Sequence, residues 1–171
     1  NPVSPTLAAS LKVGDVLRRR WLLIDVDRDK TLCPDDSATD EEKQRARVAT
    51  ANLRDWLSAD QGWPATVEVD SGNGWHLLYR IDLPNTGGRS DESHKLIKGI
   101  LEALDRRFPA STGGSIGVEC HDARRIAKLP GTWARRGTQS EERPWRQARL
   151  VAVPTASQPS MPRFLTEEQI R

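Results

Sequence analysis

Cysteine is scarce in this sequence: Cys33 and Cys120 are the only two in 171 residues. Their placement fits neither a metal-ligand spacing nor a disulfide framework, and a reduced cytoplasmic protein is the simplest reading. Long apolar runs are lacking as well. Nothing approaches the roughly 18 consecutive residues needed to span a membrane, and the first residues carry no signal-peptide pattern. No charge of one sign dominates: the formal net charge is +2, so no global field points to a polyanionic partner. No internal repeat is evident. The chain opens on Asn1-Pro2 without a methionine, as expected of a fragment of something longer.

What is present is ordinary in amount and uneven in placement. Hydrophobic residues make up 36% and charged residues 29%, the balance of a soluble globular protein long enough for one domain with a real core. Arg124, Arg125, Lys128, Arg135, Arg136, Arg143, Arg146 and Arg149 crowd into residues 124–149. A phosphate-facing patch and a solvated surface both fit that crowding when charge alone is considered.

The sharpest signal is Trp21-Leu22-Leu23-Ile24-Asp25-Val26-Asp27. Aliphatic and β-branched residues running into two acids read as a buried strand with a polar end. Residues i and i+2 of a strand share a face, so Asp25 and Asp27 are expected side by side. Two such carboxylates repel unless a cation sits between them. Hard oxygen ligands of this kind suit Mg²⁺ or Mn²⁺ shared with substrate phosphates. The plainer alternative is a strand end with two solvated acids.

The remaining elements follow from local chemistry. Residues 1–19 read as a helical or loop lead-in, and 33–38 as a polar loop. Thr39-Asp40-Glu41-Glu42 is a capping box that opens a helix with Val48, Leu53, Trp56 and Leu57 as its apolar face, ended by Gly62 and Pro64. Residues 66–70 and 75–81 read as strands joined by the Ser71-Gly72-Asn73-Gly74 turn, and are expected to pair antiparallel. Residues 82–90 read as a loop, and 91–108 as a second helix with Leu96, Ile97, Ile100, Leu101 and Leu104 at helical spacing and His94 on its exposed start. Short strands are expected within 116–133, with a turn at Pro130-Gly131, and a last strand at 148–153. From Pro154 a Pro-, Ser- and Gln-rich linker is expected to leave the domain, with Thr166-Glu167-Glu168-Gln169 able to start another helix. The order β-α-ββ-α-β-β makes the fold class α+β, a mostly antiparallel sheet with packed helices, over residues 1–153, followed by the linker segment 154–171.

Two more stretches carry chemistry. In Asp70-Ser71-Gly72-Asn73-Gly74-Trp75-His76, the glycines allow close backbone approach, and Ser71 and His76 are candidate phosphate contacts. A turn chosen for geometry alone is the alternative. In Arg124-Arg125-Ile126-Ala127-Lys128-Leu129-Pro130-Gly131-Thr132, Arg125 and Lys128 read as basic residues in a strand leading to a turn. Basic groups beside apolar ones want an anionic partner, either a triphosphate or the protein's own acid pair.

Together, in this order, the three stretches resemble the catalytic domain of the archaeo-eukaryotic primase superfamily, most of all the primase-polymerases of phages, plasmids and bacterial mobile elements. The likeness covers residues 18–153. It implies an RRM-like sheet with a small α/β unit, and DNA primase-polymerase activity that transfers nucleotides from nucleoside triphosphates onto a primer on a single-stranded DNA template. It implies Asp25 and Asp27 as catalytic, metal-binding acids for Mg²⁺ or Mn²⁺. It also implies Ser71, His76, Arg125 and Lys128 as nucleotide-binding residues, and a flanking helicase domain or replication partner. Trp75, Arg135 and Arg136 are the expected contacts to nucleic acid, with Trp133 flanking the same site; for Trp75 and Trp133 packing is an equal alternative. The family's third motif, an apolar residue followed by an acid, commonly stands eight positions before the arginine of the Arg-Ile pair. Here that position is Gly117, after Ile116. Val118-Glu119 fits the pattern next best, so Glu119 is expected as the third catalytic, metal-binding acid, and Asp122 is expected to pair with an arginine. The alternative is a degenerate module of the same fold that binds nucleotide or single-stranded nucleic acid without chemistry.

Overall fold

A computed structural model describes residues 10–29, 33, 35–87, 91–154 and 164–170. Its elements are β1 (Arg18–Asp27), α1 (Asp40–Ala59), β2 (Val67–Asp70), β3 (Trp75–Pro84), α2 (Glu92–Arg107), β4 (Ser115–Ile116), β5 (Trp133–Ala134), β6 (Arg146–Gln147), β7 (Arg149–Ala152) and α3 (Glu167–Ile170). Five strands form one sheet in the order β4-β1-β3-β2-β7, with every neighbour antiparallel, and β5 and β6 form a separate antiparallel pair. The fold is α+β. No helix among the described residues is long and apolar enough to cross a membrane.

The period of two decides which face of the sheet is covered. Leu22, Ile24 and Val26 of β1 and Leu77, Tyr79, Ile81 and Leu83 of β3 are buried on the face that packs against α1 and α2. Leu23, Asp25 and Asp27 alternate onto the other face. Asp25 is the cross-strand partner of His76, and Val69 of β2 pairs with the same histidine. On the helix side, Arg54 and Lys43 of α1 hold Glu68 and Asp70 of β2 at 2.8 and 2.6 Å.

Local chemistry sets the helix starts. The Thr39 side chain accepts the Glu42 N–H, and the Glu42 carboxylate accepts the Thr39 N–H. Asp91 caps α2, accepting from His94 N–H at 3.0 Å, from Thr86 and from Ser93. Burial alone raises the Asp91 pKa, but these bonds outweigh it and hold the carboxyl well below the usual range.

Several expectations are corrected. β1 begins at Arg18, and β3 runs on through Pro84 where a loop was expected. The buried face of α1 is Ala46, Ala49, Thr50, Leu53 and Leu57; Val48 is on the solvent side. Residues 125–129 form no strand, and Arg125, Ile126, Lys128 and Leu129 are exposed. Between β4 and α3 the described residues form short strands and one 3-10 turn, and no α-helix. The tail does not simply leave the domain. Leu165 and Ile170 are buried in the core, and Leu165 N–H donates to Arg80 O at 2.8 Å. The expectations for residues 1–9, for the loop positions 34 and 88–90, and for the linker at 155–163 lie outside the described residues.

Candidate active site

The sheet face opposite the helices carries a cavity of about 280 Å³. Its walls come from three separate stretches. β1 supplies Leu23, Asp25 and Asp27; the β2–β3 hairpin supplies Ser71, Asn73 and His76; residues 126–136 supply Ile126, Lys128, Ala134, Arg135 and Arg136.

The acid pair is held by its neighbours. The His76 ring is buried, and its Nε2 lies 3.4 Å from Asp25 Oδ1. Asp27 Oδ1 accepts the Arg28 N–H at 3.0 Å. Gly74 brings the hairpin directly against the end of β1: a Cβ there would lie 2.5 Å from Val26 O and 3.3 Å from Asp27 Oδ1. Gly72, at φ +97°, lets the turn pack on β5, where a Cβ would meet the Ala134 methyl at 2.6 Å. Ser71 Oγ accepts the Gly74 N–H at 3.1 Å, which leaves its hydroxyl proton to donate to a ligand oxygen.

The opposite wall is tied down through the start of α1. Arg143 donates to Glu42 and to Ser37 O; Arg146 donates to Ala38 O and Asp40; Ser37 Oγ donates to Arg136 O. Asn73 Oδ1 accepts the Ala38 N–H at 3.0 Å, so the same loop also fixes the hairpin. The buried Arg28 guanidinium closes this loop from inside, donating to Cys33 O and Asp36 O.

The basic stretch therefore divides. Arg124 pairs with Asp122, Arg125 with Glu119, Arg143 with Glu42 and Arg146 with Asp40. Lys128, Arg135 and Arg136 have no ion-pair partner among the described residues and line the cavity. The Arg124 side chain holds the Asp122 carboxyl down at about 2, so Asp122 does pair with an arginine as its position suggested.

Of the expected site residues, Asp25, Asp27, Ser71, His76, Lys128, Arg135 and Arg136 meet in one cavity. Arg125 and Glu119 do not line it. They face each other at 3.0 Å in a half-exposed pair, because the 3-10 turn Val118–His121 carries Glu119 toward Arg125. Glu119 nevertheless stays close: both its Oε1 and Asp25 Cβ lie 3.4 Å from where a Gly117 Cβ would be. Burial, then the Asp25 charge, pushes the neighbouring Cys120 thiol up to about 12. Trp75 is buried on the helix face, with Lys43 and Arg47 each 5.8 Å from its ring centroid, so it offers no surface on which a base could stack. The sequence reading missed Asn73 and the anchoring roles of Arg143 and Arg146. An asparagine in a glycine turn reads as turn geometry, and the arginines' acidic partners lie about a hundred positions away.

The donor set fits a divalent cation. Two hard carboxylates stand on one strand face at a cavity rich in cationic side chains, the pattern in which one or two carboxylates and substrate phosphates share Mg²⁺ or Mn²⁺. Among the described residues no cluster of three or more His, Cys, Asp or Glu forms a complete protein-only metal site.

No family model, curated protein or solved structure matches this chain.

Proposed function

We propose that this chain is a template-directed nucleotidyltransferase, a primase-polymerase that transfers nucleotides from nucleoside triphosphates onto a primer or initiating nucleotide. The observation that carries this reading is the convergence of Asp25, Asp27, Ser71, His76 and Lys128, drawn from three separate stretches, on one cavity. The β1-α1-β2-β3-α2-β4 succession with sheet order β4-β1-β3-β2 supports it as an RRM-like split βαβ arrangement.

Asp25 and Asp27 would hold Mg²⁺ or Mn²⁺, which when bound supplies Lewis-acid stabilisation to phosphate oxygens and lowers the pKa of an attacking hydroxyl. The side chains across the cavity do the rest. Lys128 offsets phosphate charge, and the Ser71 hydroxyl donates to a phosphate oxygen. His76, fixed between Asp25 and the sheet, orients the near carboxylate and offers a ring N–H to the triphosphate. Arg135 and Arg136, also at the cavity, meet the backbone of the template or primer.

One observation favours a second reading. Position 117 has no carboxylate and Glu119 is engaged by Arg125, which suits a module that binds nucleotide without chemistry. Mn²⁺-supported nucleotide incorporation on primed and unprimed single-stranded DNA separates the two. Incorporation by the wild type that is abolished in Asp25→Ala and Asp27→Ala, with unchanged melting, supports the enzyme. A wild type that binds nucleotide but incorporates none assigns the binding module.

A further inference from the structure

Outside the cavity, a second groove of about 330 Å³ is lined by Lys43, Asp70, Trp133, Trp145, Arg146, Gln147 and Arg149. It adjoins the cavity through a single peptide. Ala134 is buried against the hairpin and lines the cavity, whereas the preceding residue of β5, Trp133, faces the groove and is half exposed. Trp133 pairs in register with Gln147 of β6. Trp145 just before β6, Arg146 and Gln147 of β6 and Arg149 at the start of β7 line the same groove, and Ala148 between the two strands is buried. An indole half exposed on a short strand is kept out of the core by the backbone's own alternation.

The groove's charge is net basic once internal pairs are set aside. Lys43 and Asp70 neutralise each other at 2.6 Å, and Arg146 is taken by Asp40. Arg149 has no ion-pair partner among the described residues. The Arg135 guanidinium lies 5.3 Å from the Trp145 ring centroid, and Trp145 Nε1 donates to Gly137 O at 3.2 Å, so that ring is held in place. Two indoles flanked by uncommitted arginines, beside a cavity that would take a triphosphate, combine a π-surface with a cationic track. Single-stranded nucleic acid is the polyanion that uses both features, since each base offers a face and each link a phosphate.

We propose that this groove is the path of the single-stranded template: a base stacks on Trp133, Trp145 with Arg135 forms the adjoining platform, and Arg149 contacts the backbone. The template role rests on the nucleotidyltransferase reading; the binding itself does not.

The test is fluorescence anisotropy with labelled oligo-dT and with an abasic strand of the same length and charge, without nucleotide or Mn²⁺. Trp133→Leu keeps apolar bulk and removes the π-face. It is expected to weaken oligo-dT binding by about 5- to 100-fold and to leave the abasic strand unchanged, with Trp133→Phe close to wild type. Arg149→Ala is expected to weaken both strands and to reduce the salt slope by about one. Equal losses on the two strands, or none in Trp133→Leu, overturn the proposal. So does wild-type binding of oligo-dT no tighter than that of polyglutamate of equal charge, which would assign the groove to an acidic protein segment. Asp25→Ala is expected to bind oligo-dT as the wild type does. A protein that binds through Trp133 yet incorporates nothing therefore loses the enzyme reading alone, and one that incorporates nucleotide with Trp133→Leu binding unimpaired loses this inference alone.

Discussion

Gly74→Ala is expected to damage stability and the acid pair together, through one added methyl. The new Cβ would sit 2.5 Å from Val26 O and 2.9 Å from Asp27 Cα. Both are backbone atoms of β1, so no side-chain rotation relieves the contact. Ordinary contact begins near 3.4 Å, so about 0.9 Å must open between the hairpin and the end of β1. Overpacking of this kind costs about 1–3 kcal/mol. At about 2–4 °C per kcal/mol for a chain of this length, the melting temperature falls by ~2–12 °C. Asp27 Oδ1 lies 3.3 Å from the same point, so its carboxylate moves with the strand. A displacement near 1 Å at a reacting centre costs on the order of 100-fold in rate. Scanning calorimetry and Mn²⁺-dependent incorporation read the two effects. Gly99→Ala is the control with the opposite sign. That residue is inside α2, with nothing within 4 Å of its added Cβ, and helix propensity gives about 0.5–1 kcal/mol of stabilisation. A Gly74→Ala protein that melts at or above the wild type with undiminished incorporation would refute the close-approach argument.

His76→Ala is expected to weaken nucleotide binding about 10- to 100-fold, the worth of a charge-assisted hydrogen bond, with a smaller loss for single-stranded DNA; titration with each ligand checks this, and equal losses would place His76 in the fold. Asp91→Asn is expected to destabilise at neutral pH by about 1–3 kcal/mol, since the amide no longer accepts every bond from Thr86, Ser93 and His94. The native Asp91 pKa is depressed, so its contribution is present above the unfolded value of about 3.9 and is lost as pH falls; urea titrations should show the wild type and variant converging in acid. Gly117→Asp is expected to fold, because φ −73° and ψ 85° suit an ordinary residue and the nearest atoms are at 3.4 Å. It should tighten Mn²⁺ binding by calorimetry, while Glu119→Gln, in a half-exposed pair, changes stability by less than about 1 kcal/mol.

The elements legible in the sequence are those set by near neighbours. The acid-ended strand, the glycine hairpin and the capping box at Thr39 each depend on residues within a few positions, and each forms where its pattern stands. Where contact distance outweighs hydropathy, the pattern misleads. α1 turns Ala46, Ala49 and Thr50 inward rather than Val48, because the turn before β4 lies hard against it: a Cβ on Gly114 would come 2.7 Å from Val26 Cγ1 and 3.1 Å from Ala49 Cβ. A small residue at a close approach carries almost no hydrophobic signal, and a valine one position away carries a strong one. Residues 125–129 show the converse, for Ile126 and Leu129 look like strand interior yet have no strand beside them and are 87% and 70% exposed.

The basic stretch shows what local patterns cannot supply. Arg143 and Arg136 look alike in the sequence, yet one is consumed by Glu42 at a separation of 101 residues and the other lines the cavity. Which arginine serves the fold and which serves the site depends on whether an acid or carbonyl from the start of α1 lies within reach. Glu42 is the arbiter, since it accepts from Thr39 N–H and from Arg143 and lies 3.7 Å from the Arg28 guanidinium as its ion-pair partner. Burial works to raise its pKa, but the Arg143 and Thr39 hydrogen bonds and the Arg28 charge outweigh it and keep the carboxyl below the usual range. One ionised carboxylate thus closes the capping box, anchors the cavity's far wall and partners a buried guanidinium. It draws Arg143 out of the cationic pool, which leaves the Lys128, Arg135 and Arg136 charges facing the acid pair.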